Sequence, residues 1–311
     1  MRRIWYHKVT DSQQDHTIEW VLSNLLGLTR RQISRIKFRE NGICVDGCQK
    51  RVNYRLHAEE ILQVCLEEEK DSIQMEATEE KLNILYEDED LIAVDKPSGQ
   101  ICHPSGGHYN DSLANQLTGY FRRQGSGCVI RLAGRLDCDT SGIVVAAKNQ
   151  IAAQRLASQR EQGEFYKEYL ALTHGEFVQE SGEITGRIGC VRNHPLKMGI
   201  CRDGKEARTW YRVQKRANGY TLVSCILDTG RTHQIRVHMQ SVGHPLVNDR
   251  LYGAGDKDSF GKFLESRRKL EGDRHRRLGL HAGKVRLRQP FTGKIIEIHS
   301  VCEFADWMSM L

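Results

Sequence analysis

The sequence predicts an α+β chain in which a mixed, mainly antiparallel sheet follows a smaller α/β unit. Three observations carry this. From Leu82 onward, short apolar strands outnumber helices and do not alternate strictly with them. Residues 16–66 follow a different pattern, helical spacing first and extended pieces after. A charge-rich stretch separates the two regions, and 311 residues suffice for about two domains. The boundaries read as an N-terminal extension at 1–15, a small domain at 16–66, a linker at 67–80 and the larger domain at 81–311.

The extension (Met1-Arg2-Arg3-Ile4-Trp5-Tyr6-His7-Lys8) is charged but lacks the apolar core of a signal peptide. In the small domain, Ile18, Val21, Leu22, Leu25 and Leu26 have helical spacing, and Gly27 ends the run. Thr29 is a good N-cap for a second helix bearing Arg30, Arg31, Arg35, Lys37 and Arg39. Extended pieces follow at 43–45 and 61–64, with Asp46-Gly47 as a turn signal. Glu67, Glu68, Glu69, Asp71, Glu76, Glu79 and Glu80 make 67–80 an acidic linker. Beyond it, strands are read at 91–94, 143–147, 169–172 and 220–223, and helices at 112–120 and 151–162.

Composition narrows the function classes. With 39% apolar and 28% charged residues the chain is of soluble type, and only 5 prolines exclude collagen-like or Pro-rich organisation. The longest aliphatic run, 143–147, is far too short to span a bilayer, so a cytoplasmic protein without membrane contact is expected. Ten scattered cysteines without a C-x-x-C pair read as buried, reduced thiols, and no metal site is expected. The net charge of +6 permits a polyanion partner. Arg31 and Arg35 share a helix face, which suits phosphate contacts. A second cluster, Arg267, Arg268, Lys269, Arg274, Arg276 and Arg277, strengthens the case for nucleic acid.

Two segments concentrate reactive side chains. Arg135-Leu136-Asp137-Cys138-Asp139-Thr140-Ser141-Gly142 precedes an apolar strand and reads as a loop at a sheet edge. Asp137 and Asp139 point to opposite faces of an extended backbone, so they are poor candidates for a carboxylate pair. On physics alone, a turn carboxylate capping backbone amides is the favoured account. Downstream, Thr232 can cap a helix that Gly243 ends before Pro245, placing Arg236 in its first turn. His233 and His238 are five apart, which does not suit a metal on one helix face.

These segments resemble the pseudouridine synthases of the RluA type. GRLDCDTSG (134–142) is similar to their R-L-D-x-x-T-S-G signature, FYKEYLALTHG (165–175) to their K-x-Y strand, and TGRTHQIRVHMQSVGHPLVNDRLYG (229–253) to their third motif. ILYEDEDLIAVDKPSGQICHPS (84–105) and LGLHAGKVRL (278–287) also fit, so the resemblance spans roughly 82–305. LLGLTRRQISRIKFRENGICVDG (25–47) resembles an S4 RNA-binding domain. Gly134 departs from the family, many of whose members have His there.

The resemblance implies an isomerase that flips a uridine out of structured RNA and converts it to pseudouridine. Asp137 would be the catalytic aspartate, Tyr169 would stack beneath the uracil and Arg236 would pair with Asp137. Arg135 would displace and replace the flipped base, and Ile235 would pack against the pocket. Arg231, His233 and Gln234 would complete substrate binding, with Arg30, Arg31, Arg35 and Lys37 as the RNA contacts of the S4-like domain. It implies no cofactor, no metal, no obligate protein partner and a monomer. Large-subunit ribosomal RNA is the favoured substrate, and transfer RNA the alternative. An RNA-binding assembly factor without chemistry and a cofactor-free N-glycoside hydrolase are the competing readings.

Overall fold

The computed structural model describes residues 2–67, 75–126, 129–192, 194–253 and 277–310. The N-terminal unit is a four-stranded antiparallel sheet of β1 (Arg2–Lys8), β2 (Ile43–Val45), β3 (Cys48–Gln49) and β4 (Ile61–Glu67), in the order β1-β4-β2-β3. Two helices, α1 (Ile18–Asn24) and α2 (Arg30–Lys37), pack on it through Ile18, Val21, Leu22, Ile33 and Ile36. Thr17 and Thr29 cap these helices by accepting from the amides of Trp20 and Gln32. Asp46 and Gly47 both take positive φ in the turn joining β2 and β3, as their pairing in sequence predicts.

Residues 1–15 are not a separate extension, because β1 pairs with β4 along seven residues, Arg2 to Lys8. No apolar alternation marks this strand, since its less exposed positions are Arg3, Trp5 and His7. Arg3 faces the larger domain instead. It forms ion pairs with Glu89 and Asp90, each at 2.7 Å, and its guanidinium lies 4.0 Å from the centroid of the Phe291 ring. Arg155 approaches the same ring at 5.1 Å and donates to the carbonyls of Pro290 and Leu25. Gln154 donates to the Gly27 carbonyl at 2.9 Å. The two units are thus joined by packed and hydrogen-bonded contacts.

The linker is shorter than its charge suggests. Glu67 belongs to β4, residues 68–74 lie outside the described residues, and residues 75–80 lie along a helix of the larger domain. That helix, α3 (Leu113–Arg123), receives them through Asn115, which donates to the Glu76 carbonyl, and Arg122, which donates to that of Met75. A side chain at Gly119 would meet the Thr78 carbonyl at 2.0 Å, so glycine is what allows this approach.

Among the described residues of the larger domain, eleven strands form one sheet. They are β5 (Ile84–Glu87), β6 (Leu91–Lys96), β7 (Arg131–Leu132), β8 (Ser141–Ala147), β9 (Tyr166–His174), β10 (Ser181–Val191), β11 (His194–Ile200), β12 (Lys205–Ala217), β13 (Tyr220–Leu227), β14 (Leu280–Arg288) and β15 (Ile295–His299). The main path runs β11-β10-β12-β13-β9-β14-β8-β6-β5, with β15 beside β14 and β7 beside β8. Among the described residues only the β14–β8 pair is parallel, so the mainly antiparallel α+β reading holds. Among the described residues no helix is long and apolar enough to cross a membrane.

The two-residue strand period sorts the core. In β8, Val144 and Ala146 face α3, while Ile143, Val145 and Ala147 face α4 (Gln150–Glu161). Across the sheet, Ala171, Val223 and Cys225 face α5 (Gln234–Ser241), while Leu172 and Leu222 face α6 (Glu303–Met310). Tyr169 touches the clusters of both α3 and α5, which puts it in the cleft between them. Of the nine described cysteines, Cys44, Cys65, Cys102, Cys225 and Cys302 are buried, but Cys48, Cys138 and Cys190 are exposed. In the second basic cluster, Arg277 pairs with Glu303; its other members lie outside the described residues.

Candidate active site

The Asp137 loop enters β8 at Gly142, which has φ 108°; a Cβ there would meet the Ala282 carbonyl oxygen of β14 at 2.4 Å. The loop is held from beneath by two buried side chains. Cys102 Sγ lies 3.3 Å from both the amide and the carbonyl oxygen of Leu136. Lys96, fully buried, donates to the carbonyls of Pro97, Gln100 and Cys138 at 2.9, 2.7 and 2.9 Å. The Asp137 carboxylate has no hydrogen-bond partner among the described residues; only its backbone carbonyl is used, by the Thr140 amide. The turn-capping account therefore does not describe this side chain.

Asp137 lines a cavity of about 80 Å³ together with Arg135, Tyr169, Arg231, His233, Gln234, Ile235 and Arg236. Every catalytic and substrate-binding residue named from the sequence is in this one cavity. Burial, with the charge of Asp137 added, pushes the Tyr169 phenol well above its usual range, so the ring stays neutral. Lys167 lies on the same strand with its Nζ 5.9 Å from the Tyr169 ring centroid, and donates to the Ile143 carbonyl.

Arg236 does not pair with Asp137. Its Nε and Nη2 donate to the two carboxylate oxygens of Asp249, each at 2.8 Å, and both side chains are buried. Burial alone would lower the guanidinium's pKa. The hydrogen bonds and charge of Asp249, with further attraction from Asp137 and Asp139, more than offset that and move it upward. A closer carboxylate thus fixes the arginine, and Asp137 is left free beside it. Asp249 also accepts from the amides of Leu251 and Tyr252, so it anchors the turn after α5.

The helix itself begins later than Thr232. Its N-cap is His233, at φ 57° and without a side-chain cap, and Thr232 Oγ1 instead accepts from Arg135 at 3.3 Å. Gln234 does the local bracing: it accepts from the Arg231 amide and the Thr229 hydroxyl and donates to the Arg208 carbonyl. His233 Nδ1 lies 2.9 Å from the Tyr252 hydroxyl, and burial moves this imidazole downward, toward its neutral form. Ile235 is buried under the cleft, and Arg231 donates from Nε to the Glu206 carbonyl. Asp249, Tyr252, Lys96 and Lys167 all fall in the motif segments but carried no role in the sequence reading. For Lys96 the signal was a charged side chain closing the apolar strand Leu91–Lys96.

Lys96 yields a pH test. Burial brings its pKa down to about 8. Between about 8 and the unfolded lysine value near 10.4 the unfolded chain binds more protons, so this group's contribution to stability rises with pH. The neutral amine, however, has two N–H donors for three carbonyls, and the Asp137 loop loses a tether. Turnover by the purified protein is expected to decline with an apparent pKa near 8 without a matching fall in melting temperature. The decline should persist in Lys167→Met, whose own lysine is also near 8, and disappear in Lys96→Arg. Persistence in Lys96→Arg would rule Lys96 out as its source.

The fold and this cleft match known proteins of one kind. The family model described as RNA pseudouridylate synthase matches residues 90–241. An uncharacterized RNA pseudouridine synthase of Bacillus subtilis, YlyB, is 33% identical over 84% of this chain and 82% of its own length. The ribosomal large subunit pseudouridine synthase D of Haemophilus ducreyi is 35% identical over 87% of this chain and 81% of its own. Among solved structures, human RNA pseudouridylate synthase domain containing 1 superposes with a TM-score of 0.56 at 26% identity, covering 72% of this chain and 84% of that one. The chain is thus an RNA-modifying isomerase. It belongs to the RNA pseudouridylate synthase family, within the RluA type.

Proposed function

We propose that this protein converts one or a few uridines of ribosomal RNA, in the large subunit, to pseudouridine, with Asp137 as the catalytic carboxylate. The observation that carries the reading is the unpaired Asp137 carboxylate in one cavity with Tyr169 and the Asp249-locked Arg236. The names of relatives such as the large subunit synthase of Haemophilus ducreyi favour that substrate. The isomerisation breaks the C1′–N1 bond, turns the uracil and forms C1′–C5; C5 loses a proton and N1 gains one, so no atom is consumed. A flipped uracil over Tyr169 presents its sugar and base to Asp137, and Arg135 at the rim is placed to fill the vacated stack. Arg236, held by Asp249, puts a positive charge into the same cavity as the carboxylate. No cofactor enters this scheme, and the protein acts as a cytoplasmic monomer.

The N-terminal unit serves as an S4-like RNA-binding domain, with Arg30, Arg31, Arg35 and Lys37 exposed on α2. Replacing these four by alanine should weaken binding to ribosomal RNA. It should also flatten the dependence of log affinity on log salt, by about 0.7–0.9 for each phosphate that is no longer neutralised. An unchanged slope would remove α2 from the interface.

The test of the reading is pseudouridine mapping by carbodiimide-dependent primer extension on ribosomal and transfer RNA, from cells with and without the gene. Stops in large-subunit RNA that vanish in the deletion, and return with wild type but not with Asp137→Ala, establish it. Stops that vanish only in transfer RNA replace the substrate. If every stop survives the deletion, binding without chemistry is favoured, and release of free uracil on chromatography would mean hydrolysis.

A further inference from the structure

Arg160 lies in the last turn of α4 and its side chain is exposed. Among the described residues its guanidinium has no hydrogen-bond or ion-pair partner. It lies instead over two glycines from separate segments. Its Nη1 is 3.6 Å from the point a Cβ would occupy on Gly134, and its Nη2 is 3.9 Å from the corresponding point on Gly230. Gly134 leads into the Asp137 loop and Gly230 into α5, so the guanidinium bridges the two lips of the cleft. Its charge reaches inside, where it acts on Tyr169 and Lys167.

Arg135 and Arg231, both exposed, stand on the same two lips, and neither forms an ion pair with a carboxylate among the described residues. Three guanidiniums therefore surround a mouth whose interior holds the Asp137 carboxylate. A small anion gains little from entering. A nucleotide that inserts only its base leaves its backbone phosphates at the rim, where a planar fork of N–H donors suits them.

We propose that Arg160 binds a backbone phosphate adjacent to the flipped uridine. Gly134 and Gly230 leave the guanidinium room to span the cleft mouth. This rests on the proposed function, since the phosphate belongs to the RNA whose uridine reaches Asp137.

The test compares wild type, Arg160→Ala and Arg160→Lys as full chains on transcribed large-subunit ribosomal RNA, across a salt series. Arg160→Ala should raise KM about tenfold with kcat nearly unchanged. The slope of log kcat/KM against log salt should shrink by about 0.7–0.9. Arg160→Lys, which keeps the charge, should recover most of the affinity, and melting temperatures should agree because the exposed side chain makes no hydrogen bond or ion pair among the described residues. A lowered kcat with unchanged KM and salt slope would overturn the proposal, as would no change at all. Wild type that is active only on transfer RNA transcripts overturns the substrate reading alone, and the three proteins are then compared on that RNA. Wild type inactive on both overturns the function and the Arg160 proposal together.

Discussion

Asp137→Asn is expected to abolish turnover, by at least about 10³-fold, while RNA affinity stays within about threefold. The amide is nearly isosteric and nothing among the described residues hydrogen-bonds to the carboxylate, so the substitution leaves no broken hydrogen bond behind. What it removes is the negative charge and the basic oxygen in a cavity whose lining includes Tyr169, Ile235 and three arginines. Single-turnover pseudouridine formation measured beside equilibrium RNA binding separates the two effects. A parallel fall in affinity and turnover would make Asp137 a binding residue.

Asp249→Ala should cost the most stability. It strips both hydrogen bonds from a guanidinium whose side chain is only 3% exposed. Breaking one half of a buried pair costs about 3–5 kcal/mol, a large share of the roughly 5–15 kcal/mol that holds a domain together. That corresponds to a drop of roughly 10 °C in melting temperature. The double variant Asp249→Ala/Arg236→Met should regain much of the stability, because no buried charge is then left alone, yet it should remain inactive. Activity in that double variant would show that Arg236 is dispensable to the chemistry.

Strands β6, β8, β9 and β13 were legible because they carry apolar runs, whereas β10 and β12 were not, because their charged, largely exposed residues show no such run. The cleft was legible because its residues sit in motifs, and Asp137, Tyr169 and Arg236 do meet in one cavity. What the sequence concealed were choices among neighbours. Arg236 had Asp137 as its expected partner, while Asp249, thirteen residues on in the same segment, lies nearer and binds both of its nitrogens. β1 was hidden for another reason. Arg3 turns toward Phe291 and Asp90, so no alternation of apolar and polar residues announced a strand. Thr232 looked like a cap, but the left-handed backbone at His233 starts the helix one residue later and frees the threonine for Arg135.

The position of β14 has a consequence for biogenesis. It lies between β8, which follows the Asp137 loop, and β9, which carries Tyr169, yet it is made after nearly everything else in the sheet. During synthesis the β5-β6-β8 half and the β9-to-β13 half can each form by local antiparallel pairing. They stay unjoined until residues 280–288 leave the ribosome and insert between them. Asp137 and Tyr169 then meet in one late step, so a nascent or prematurely ended chain exposes two open strand edges and has no assembled site.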